Sequence, residues 1–296
     1  TQSQRHFAFY YAPGIHSGMA QRSKNGRFFR VLSIILLLLT SGCGTMKLAY
    51  DYADWWVEYK LEQWVDLDSD QEQALQAGLD PYFKWHKSTI MPRIADSVSA
   101  LVQAADKGQC VSLFNKQQDL WTKLYKDTIE KMTPIIASVL STLDAEQQVE
   151  LAAGMKADLK EAYERIESPK KRTEKFISRM DDILGDLSDK QREFLSWQDP
   201  AAQKHDKLRM TCRVEHQKKL VQALKAKQTQ SEIESILNGW WTQMGCSDAF
   251  QKHRDTMRQT WRKRMTEFEK SLSPEQKTAM IKELTSLKDN IRGIIK

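Results

Sequence analysis

Apolar residues recur at helical spacing along most of this chain, and this pattern constrains the fold more than any other feature. Trp121, Tyr125, Ile129 and Met132 follow one another at intervals of three or four residues, as the buried face of an amphipathic helix requires. The alternating apolar and polar runs and tight hairpin turns that would predict strands are almost absent. We therefore predict an all-α fold, a multi-helix bundle of roughly nine to eleven helices with short connections.

Proline and glycine indicate where these helices are expected to begin or end. Proline lacks an amide hydrogen and glycine is favoured just after a helix C-terminus, so both interrupt a helical pattern. The expected boundaries lie near Asp66, Pro81, Pro92, Gly108, Pro134, Pro169, Pro200, Thr229, Gly245 and Pro274. All of these residues except Asp66 and Thr229 are proline or glycine.

A five-residue pattern occurs four times and is typical of a helix start. It consists of Leu, an Asp or Ser, two variable residues and Gln, at 67–71, 143–147, 187–191 and 272–276. The side chain of the Asp or Ser can accept a hydrogen bond from the backbone amide three residues later. The Gln side chain can in turn accept one from the backbone amide of that Asp or Ser, which completes a capping box. Each leucine lacks the apolar partner of a hydrophobic staple, because the position it would meet is polar in all four copies, so the leucines must pack elsewhere.

Two explanations of the four copies remain open. Helix starts look alike because the same capping physics acts at each of them. Alternatively, the copies resemble the Leu-Thr/Ser-x-x-Gln signals of small helical periplasmic chaperones of the Spy type, although the second position here is Asp twice and Ser twice. The spacings of 76, 44 and 85 residues are too irregular for a solenoid.

A wider resemblance covers most of residues 43–296. The motifs that carry it are Lys47-Leu48-Ala49-Tyr50, Asp54-Trp55, Asp66-Leu67-Asp68 through Gln71, Trp85-His86 ahead of a proline, and the late Leu-Ser-Pro-Glu-Gln. In these motifs the chain resembles an uncharacterised family of helix-rich proteobacterial lipoproteins. The resemblance implies an exported, all-helical lipoprotein and supplies no catalytic residue.

The segment before residue 43 has the pattern of a bacterial lipoprotein signal peptide. Four positive charges precede an apolar run from Val31 to Leu39, and small residues lead to Cys43, although Thr40 stands where Leu is usual. A signal-anchor helix is the alternative, but the run is about half of the roughly 20 apolar residues needed to span a bilayer. We expect a diacylglyceryl and palmitate anchor on Cys43. On this interpretation residues 1–18 are a non-native or disordered extension, 19–42 the signal peptide and 43–296 one all-helical domain.

The basic character of the chain belongs to this leader. Five of the 45 basic residues and none of the 39 acidic residues lie in residues 1–42, so residues 43–296 carry 40 basic and 39 acidic residues. A nearly neutral domain gives no support to a nucleic-acid partner. Gly44 is not the Asp that retains lipoproteins in the inner membrane of enteric-type bacteria, so we expect a periplasm-facing protein on the inner leaflet of the outer membrane.

Residues 48–64 contain the densest aromatic cluster together with an acidic stripe. The stripe consists of Asp51, Asp54, Glu58 and Glu62, spaced three or four residues apart. An interfacial helix lying on the bilayer would place such aromatic rings at headgroup level. Because bacterial membrane surfaces are anionic, the acidic stripe favours instead a helix packed into the core.

Two cysteines are predicted to form a disulfide. Cys212 lies seventeen residues before Thr229, the centre of a predicted helical hairpin, and Cys246 lies seventeen residues after it. In an oxidising compartment these residues should pair, and closing a loop of this length stabilises a fold by roughly 3–4 kcal/mol. Two buried thiols are the alternative. Zinc bound by Cys212, His216 and Cys246 is conceivable, but with two or three ligands only, we expect no metal. Cys110 has no predicted partner. It is either a free, buried thiol or it replaces one member of the Cys212–Cys246 pair.

No pattern indicates an enzyme or a cofactor. The chain has no Gly-x-Ser-x-Gly motif and no phosphate-binding glycine loop, and its basic clusters are interleaved with acids. Trp240, Trp241 and Trp261 could line a groove, although tryptophans at helical spacing are usually core. We expect a membrane-tethered scaffold or adaptor for another envelope protein. The alternative is a periplasmic chaperone, which predicts exposed apolar surface.

Overall fold

The fold is built almost entirely from helices. The computed structural model describes residues 45–166, 169–197, 202–243 and 246–296. Of the described residues 87% are helical and none lies in a strand, so the predicted all-α, multi-helix architecture is confirmed.

The helices vary widely in length. In chain order they are α1 (Thr45–Asp51), α2 (Ala53–Glu62), α3 (Ser69–Trp85), a π-helical turn (His86–Ile90), α4 (Met91–Asp106), α5 (Cys110–Lys116), α6 (Gln118–Leu140), α7 (Ala145–Ile166), α8 (Pro169–Leu184), α9 (Asp189–Ser196), α10 (Ala202–Lys225), α11 (Gln230–Thr242), α12 (Asp248–Lys270) and α13 (Pro274–Ile295). The π-helical turn joins α3 to α4 without a break.

Proline interrupts these helices less often than expected. Pro81 lies inside α3 and Pro134 inside α6, so the predicted boundaries at these two prolines are wrong. Leu79 and Tyr82, on either side of Pro81, are buried, and their packing outweighs the lost backbone hydrogen bond. At Pro92 the chain stays helical by way of the π-helical turn, a common adjustment where the regular bonding pattern is broken. The expected boundaries near residues 200 and 245 lie outside the described residues.

The first two Leu-x-x-x-Gln motifs pair with each other. Gln71 Nε2 donates to Gln147 Oε1 over 3.0 Å, and Gln147 Nε2 donates to Gln71 Oε1 over 2.7 Å. Gln71 Nε2 also donates to the Thr142 carbonyl, and Gln147 Nε2 donates to the Asp66 carbonyl. Each of these carbonyls lies just before the partner's motif. Each glutamine also accepts a bond from its own N-cap backbone amide, so one side chain closes a capping box and joins two helix starts.

The last two motifs repeat this arrangement. Gln191 and Gln276 exchange reciprocal bonds of 2.8 and 2.9 Å, and their remaining hydrogens go to the backbone oxygens of Ser271 and Asp186. The repeated pattern therefore marks two equivalent crossings of helix starts, one between α3 and α7 and one between α9 and α13.

The motif leucines pack in pairs beneath these crossings. Leu67 and Leu143 lie in the main core, which is formed chiefly by α2, α3, α6, α7, α10 and α11. Leu187 and Leu272 lie in a second core under α8, α9 and α12. The two leucines of each crossing thus share one hydrophobic core.

The remaining helices join these cores. α13 packs along α4, and Ile291 and Ile294 of α13 are buried against Met91 and Val98 of α4. All described residues belong to one compact unit. The predicted division into an extension, a signal peptide and one domain from residue 43 onward stays a prediction.

Candidate functional site

The predicted lipid-attachment residue cannot be located in the fold. Cys43 lies outside the described residues, and lipid attachment stays a prediction. α1 begins two residues later in the sequence, at Thr45. Across residues 45–166, 169–197, 202–243 and 246–296, no helix is long and apolar enough to cross a membrane.

Two of the motifs that carry the family resemblance meet at a buried hydrogen bond. Tyr50 Oη lies 2.8 Å from His86 Nδ1, and the two rings stack. Burial raises the pKa of Tyr50 to about 12, with a smaller contribution from Asp51, while burial lowers the pKa of His86. A protonated tyrosine hydroxyl thus faces a neutral imidazole, and the bond ties α1 to the π-helical turn.

One side of α2 presents aromatic rings to solvent. Tyr52, just before the helix, is 46% exposed, and Trp55, Trp56 and Tyr59 are 36%, 49% and 39% exposed. The rings of Trp55 and Tyr59 stack with centroids 5.2 Å apart, so the group behaves as one surface. We call these four residues the aromatic face. The predicted packing of this helix into the core holds for one side only, where Val57 and Leu61 contact the main core.

Two residues of the acidic stripe lie at the contact between α2 and α3. Glu58 accepts a 2.6 Å hydrogen bond from Gln76 of α3. Carboxylate oxygens of Glu58, Glu62 and Glu72 lie within 4.8 Å of one another there. Asp51 is exposed at the end of α1, and Asp54 accepts a hydrogen bond from the Trp55 backbone amide, so negative charge remains beside the aromatic face.

An apolar cavity begins where the aromatic face ends. Its volume is about 360 Å³. Its wall is lined by Trp56, Val57, Lys60, Leu61, Trp64, Met132, Ile136 and Trp241. An apolar side chain or an alkyl group fits this surface.

A second cavity, of about 690 Å³, lies on the other side of Trp241. It is lined by Gln118, Trp121, Thr122, Tyr125, Lys126, Trp241, Thr242, Gln243, Gln251, Arg254 and Arg258. Three of these side chains are cationic, three are aromatic and none is a carboxylate. We call the two cavities together the Trp241 cleft.

Trp241 is held between the two cavities by its backbone. The Tyr125 hydroxyl of α6 donates a 2.7 Å hydrogen bond to the Trp241 carbonyl at the end of α11. Gln243 follows in a left-handed conformation (φ 57°) and caps the helix. This turn brings the loop after α11 against Gln251 of α12, whose side chain donates to the Gln243 carbonyl.

The cationic side of the cleft brings several arginines together, and Asp255, which pairs with Arg254 over 3.4 Å, compensates their charge only in part. Partial burial lowers the pKa of Arg258, and the neighbouring Arg254 and Arg262 lower it further, whereas only Asp255 acts in the opposite direction. An anion bound here would reduce this repulsion. The cleft can therefore hold an anionic group beside an apolar one.

The sequence contained only partial signals for this cleft. Trp241 was a candidate groove residue and lines both cavities, whereas Trp240 packs on the main core and Trp261 contacts Phe176. The basic residues of α12 were interpreted as a solvated face. The signal that could have found the cleft is the spacing of four residues in Trp121–Tyr125 and in Arg254–Arg258.

The structure brings the two predicted disulfide cysteines together. Cys212 of α10 and Cys246, which precedes α12, form a disulfide with their Cα atoms 5.3 Å apart. Cys110 is free and buried, and burial together with Glu269 raises its pKa to about 11. His205 and His253 stack on each other away from the disulfide, whereas His216 lies beside it.

Comparison with known proteins identifies a family without an assigned activity. Residues 63–244 match the family described as "Family of unknown function (DUF6279)". No curated protein and no solved structure matches the chain.

Proposed function

Because the chain belongs to DUF6279, a family of unknown function, we propose a role from the geometry: it is a lipid-anchored helical scaffold that holds another envelope protein in the Trp241 cleft. The observation that carries this proposal is the juxtaposition of an apolar cavity and a cationic cavity on either side of one tryptophan. An acidic segment with a neighbouring apolar side chain complements both halves.

The lining of the cleft supports binding and not catalysis. The described residues that line the two cavities include no Ser, Cys, His, Asp or Glu, the side chains that most often form a nucleophile with an adjacent base. The lining does include five aromatic and two arginine side chains, which are the groups that anchor protein interfaces.

The aromatic face supports the membrane-tethered part of the proposal. A lipid on Cys43 would lie two residues, or about 7 Å of extended chain, from the start of α1. Exposed tryptophan and tyrosine rings are favoured at the level of lipid headgroups. The face is therefore suited to lie on the inner leaflet of the outer membrane while the cleft stays accessible from the periplasm.

A chaperone remains the second candidate because of the same exposed rings. Contiguous exposed apolar surface is what a holding chaperone requires. The Leu-x-x-x-Gln motifs do not supply that surface, since their leucines are buried and their glutamines are paired internally. A chaperone built on this fold would bind its clients through the aromatic face.

Site-specific photo-crosslinking in cells tests the scaffold directly. A photoreactive amino acid at Thr122, an exposed position in the cationic cavity, should capture one dominant envelope protein. The same amino acid at Lys170 of α8, which lines neither cavity, should not. Many unrelated unfolded proteins would favour the chaperone, and capture equal to that at Lys170 would contradict the cleft as the binding site.

Charge reversal tests the ligand chemistry. Arg254→Glu combined with Arg258→Glu should abolish the crosslink from Thr122, whereas Lys170→Glu combined with Lys171→Glu should leave it unchanged. A crosslink that survives the first pair would show that the partner is not recognised through its acidic groups.

A further inference from the structure

His216 lies beside the disulfide, and neither of its ring nitrogens has a hydrogen-bond partner among the described residues. The residue is 3% exposed, and both Nδ1 and Nε2 are buried. Buried polar atoms are nearly always paired, so an unpaired imidazole requires a reason. Its position beside Cys212 and Cys246 supplies one.

The three side chains have the arrangement of metal ligands. One ring nitrogen of His216 and the sulfurs of Cys212 and Cys246 all lie within 4.8 Å of one another, and all three residues are buried. His216 follows Cys212 by one turn of α10, so both side chains leave the helix on the same side. Cys246 reaches them from the connection between α11 and α12.

The imidazole has room beside the neighbouring helix α11. A Cβ at Gly239 would lie 3.9 Å from His216 Cε1, an ordinary contact, so the ring is not pressed against α11.

We propose that reduction of the disulfide converts this cluster into a zinc site with Cys212, Cys246 and His216 as ligands. A thiol or phosphine reductant supplies two electrons, the sulfur–sulfur bond breaks and the two cysteines become thiols. A thiol reductant also supplies the two protons and becomes a disulfide, whereas a phosphine becomes a phosphine oxide and the water that gives it oxygen supplies the protons. Zinc binding then releases both thiol protons and forms two Zn–S bonds and one Zn–N bond, while a water completes the tetrahedron.

The geometry of such a site fits the space available. Zn–S bonds of about 2.3 Å and a Zn–N bond of about 2.0 Å place tetrahedral ligand atoms roughly 3.3–3.8 Å apart. This separation lies within the 4.8 Å span of the three ligand atoms, and the two sulfurs, which are bonded in the disulfide, must rotate apart once that bond is reduced. The disulfide and the zinc ion are thus two alternative links between α10 and the segment before α12, one for oxidising and one for reducing conditions.

Metal titration of the full chain in both redox states tests the proposal. Cys43→Ser and Cys110→Ser in the background leave only the cysteines of the cluster. After reduction with a phosphine, which does not chelate the metal, the chain should bind one Zn²⁺. Co²⁺ should give thiolate charge-transfer absorption. The oxidised chain should bind neither ion.

Variants of the histidine separate a ligand from a structural residue. His216→Ala should weaken zinc binding by the reduced chain at least tenfold, and His216→Cys should restore it through a third thiolate. His205→Ala, on the same helix but outside the cluster, should bind zinc like the parent chain. Circular dichroism checks that each variant is folded. Failure of the reduced, folded parent to bind, or equal binding by folded His216→Ala, would overturn the proposal.

Discussion

Gln71 and Gln147 lie 76 residues apart in the sequence, yet each donates a side-chain hydrogen bond to the amide oxygen of the other, over 3.0 and 2.7 Å. Each side-chain amide also accepts a hydrogen bond from the backbone of its own N-cap residue and donates one to the backbone carbonyl just before the partner's motif. The pair is therefore part of two helix caps and of one tertiary contact at once.

Removing one member of this pair should cost more than removing a helix cap alone. Gln71→Ala leaves the half-buried side-chain amide of Gln147 partly unpaired, and we expect a loss of about 2–3 kcal/mol in the free energy of unfolding. Urea unfolding measures it, and Gln73→Ala, exposed on the same helix, should change little. Adding Gln147→Ala to Gln71→Ala should cost less than the sum of the two single changes. Additive effects would mean that the two amides are not coupled.

The pairing illustrates what the sequence could and could not predict. The helix starts were predictable because a capping box involves residues three apart, and Cys212 could be matched with Cys246 because a helical hairpin has simple symmetry. The meeting of Gln71 with Gln147 depends on the packing of α3 against α7, which no local pattern encodes. The Trp241 cleft was missed for the same reason, since its walls come from α2, α6, α11 and α12.

Gly154 of α7 marks a close approach between two backbones. A Cβ there would lie 2.5 Å from the Cα of Trp64 and 3.0 Å from its carbonyl oxygen. We expect Gly154→Ala to destabilise the fold by about 1–3 kcal/mol, because neither backbone can move without disturbing the main core. Gly293→Ala in α13 meets no neighbour within 4 Å and should instead stabilise the helix by about 0.5–1 kcal/mol. Thermal unfolding of both variants checks the opposite signs.

Lys227 ends α10 in a conformation that favours glycine. Its φ is 51°, and Gln228 N donates to the Ala223 carbonyl over 3.0 Å, as in a helix terminated by a left-handed residue. We expect Lys227→Gly to raise the free energy of unfolding by about 0.5–1 kcal/mol, since the side chain is strained there. Gly108, with φ 65°, provides the reverse test, and Gly108→Ala should lower the melting temperature. A change in stability of the same sign for Lys227→Gly and Gly108→Ala would contradict this explanation.

Three histidines should make the fold less stable as the pH falls below neutrality. Burial lowers the pKa of His86, His205 and His216 below the ordinary value of 6.5. Between that value and the lower folded-state values, the unfolded chain binds more protons than the folded chain. Stability is therefore complete above about pH 6.5 and declines as the pH drops toward the folded-state pKa values, with a slope of up to about 1.4 kcal/mol per pH unit for each proton.

Urea midpoints measured at pH 7.5 and 5.5 test this dependence. We expect a lower midpoint at pH 5.5, and a smaller difference between the two in His86→Asn, which removes one of the titrating groups. His86 is informative because its protonation would also remove the acceptor for the Tyr50 hydroxyl. An unchanged difference in this variant would show that His86 contributes nothing to the pH dependence.

Lipid attachment at Cys43 predicts how the protein distributes between membrane and soluble fractions. Each buried methylene of an acyl chain contributes about 0.8 kcal/mol to membrane binding, so loss of the acyl chains removes more than the four rings of the aromatic face can replace. Cys43→Ala should therefore abolish processing or release most of the protein from the membrane fraction. Trp55→Ser combined with Trp56→Ser should leave the lipidated protein on the membrane but weaken the binding of an unlipidated chain to vesicles of anionic and zwitterionic phospholipid. The Cys110→Ser variant controls for cysteine loss, and membrane retention and size equal to the parent's in Cys43→Ala would exclude the anchor.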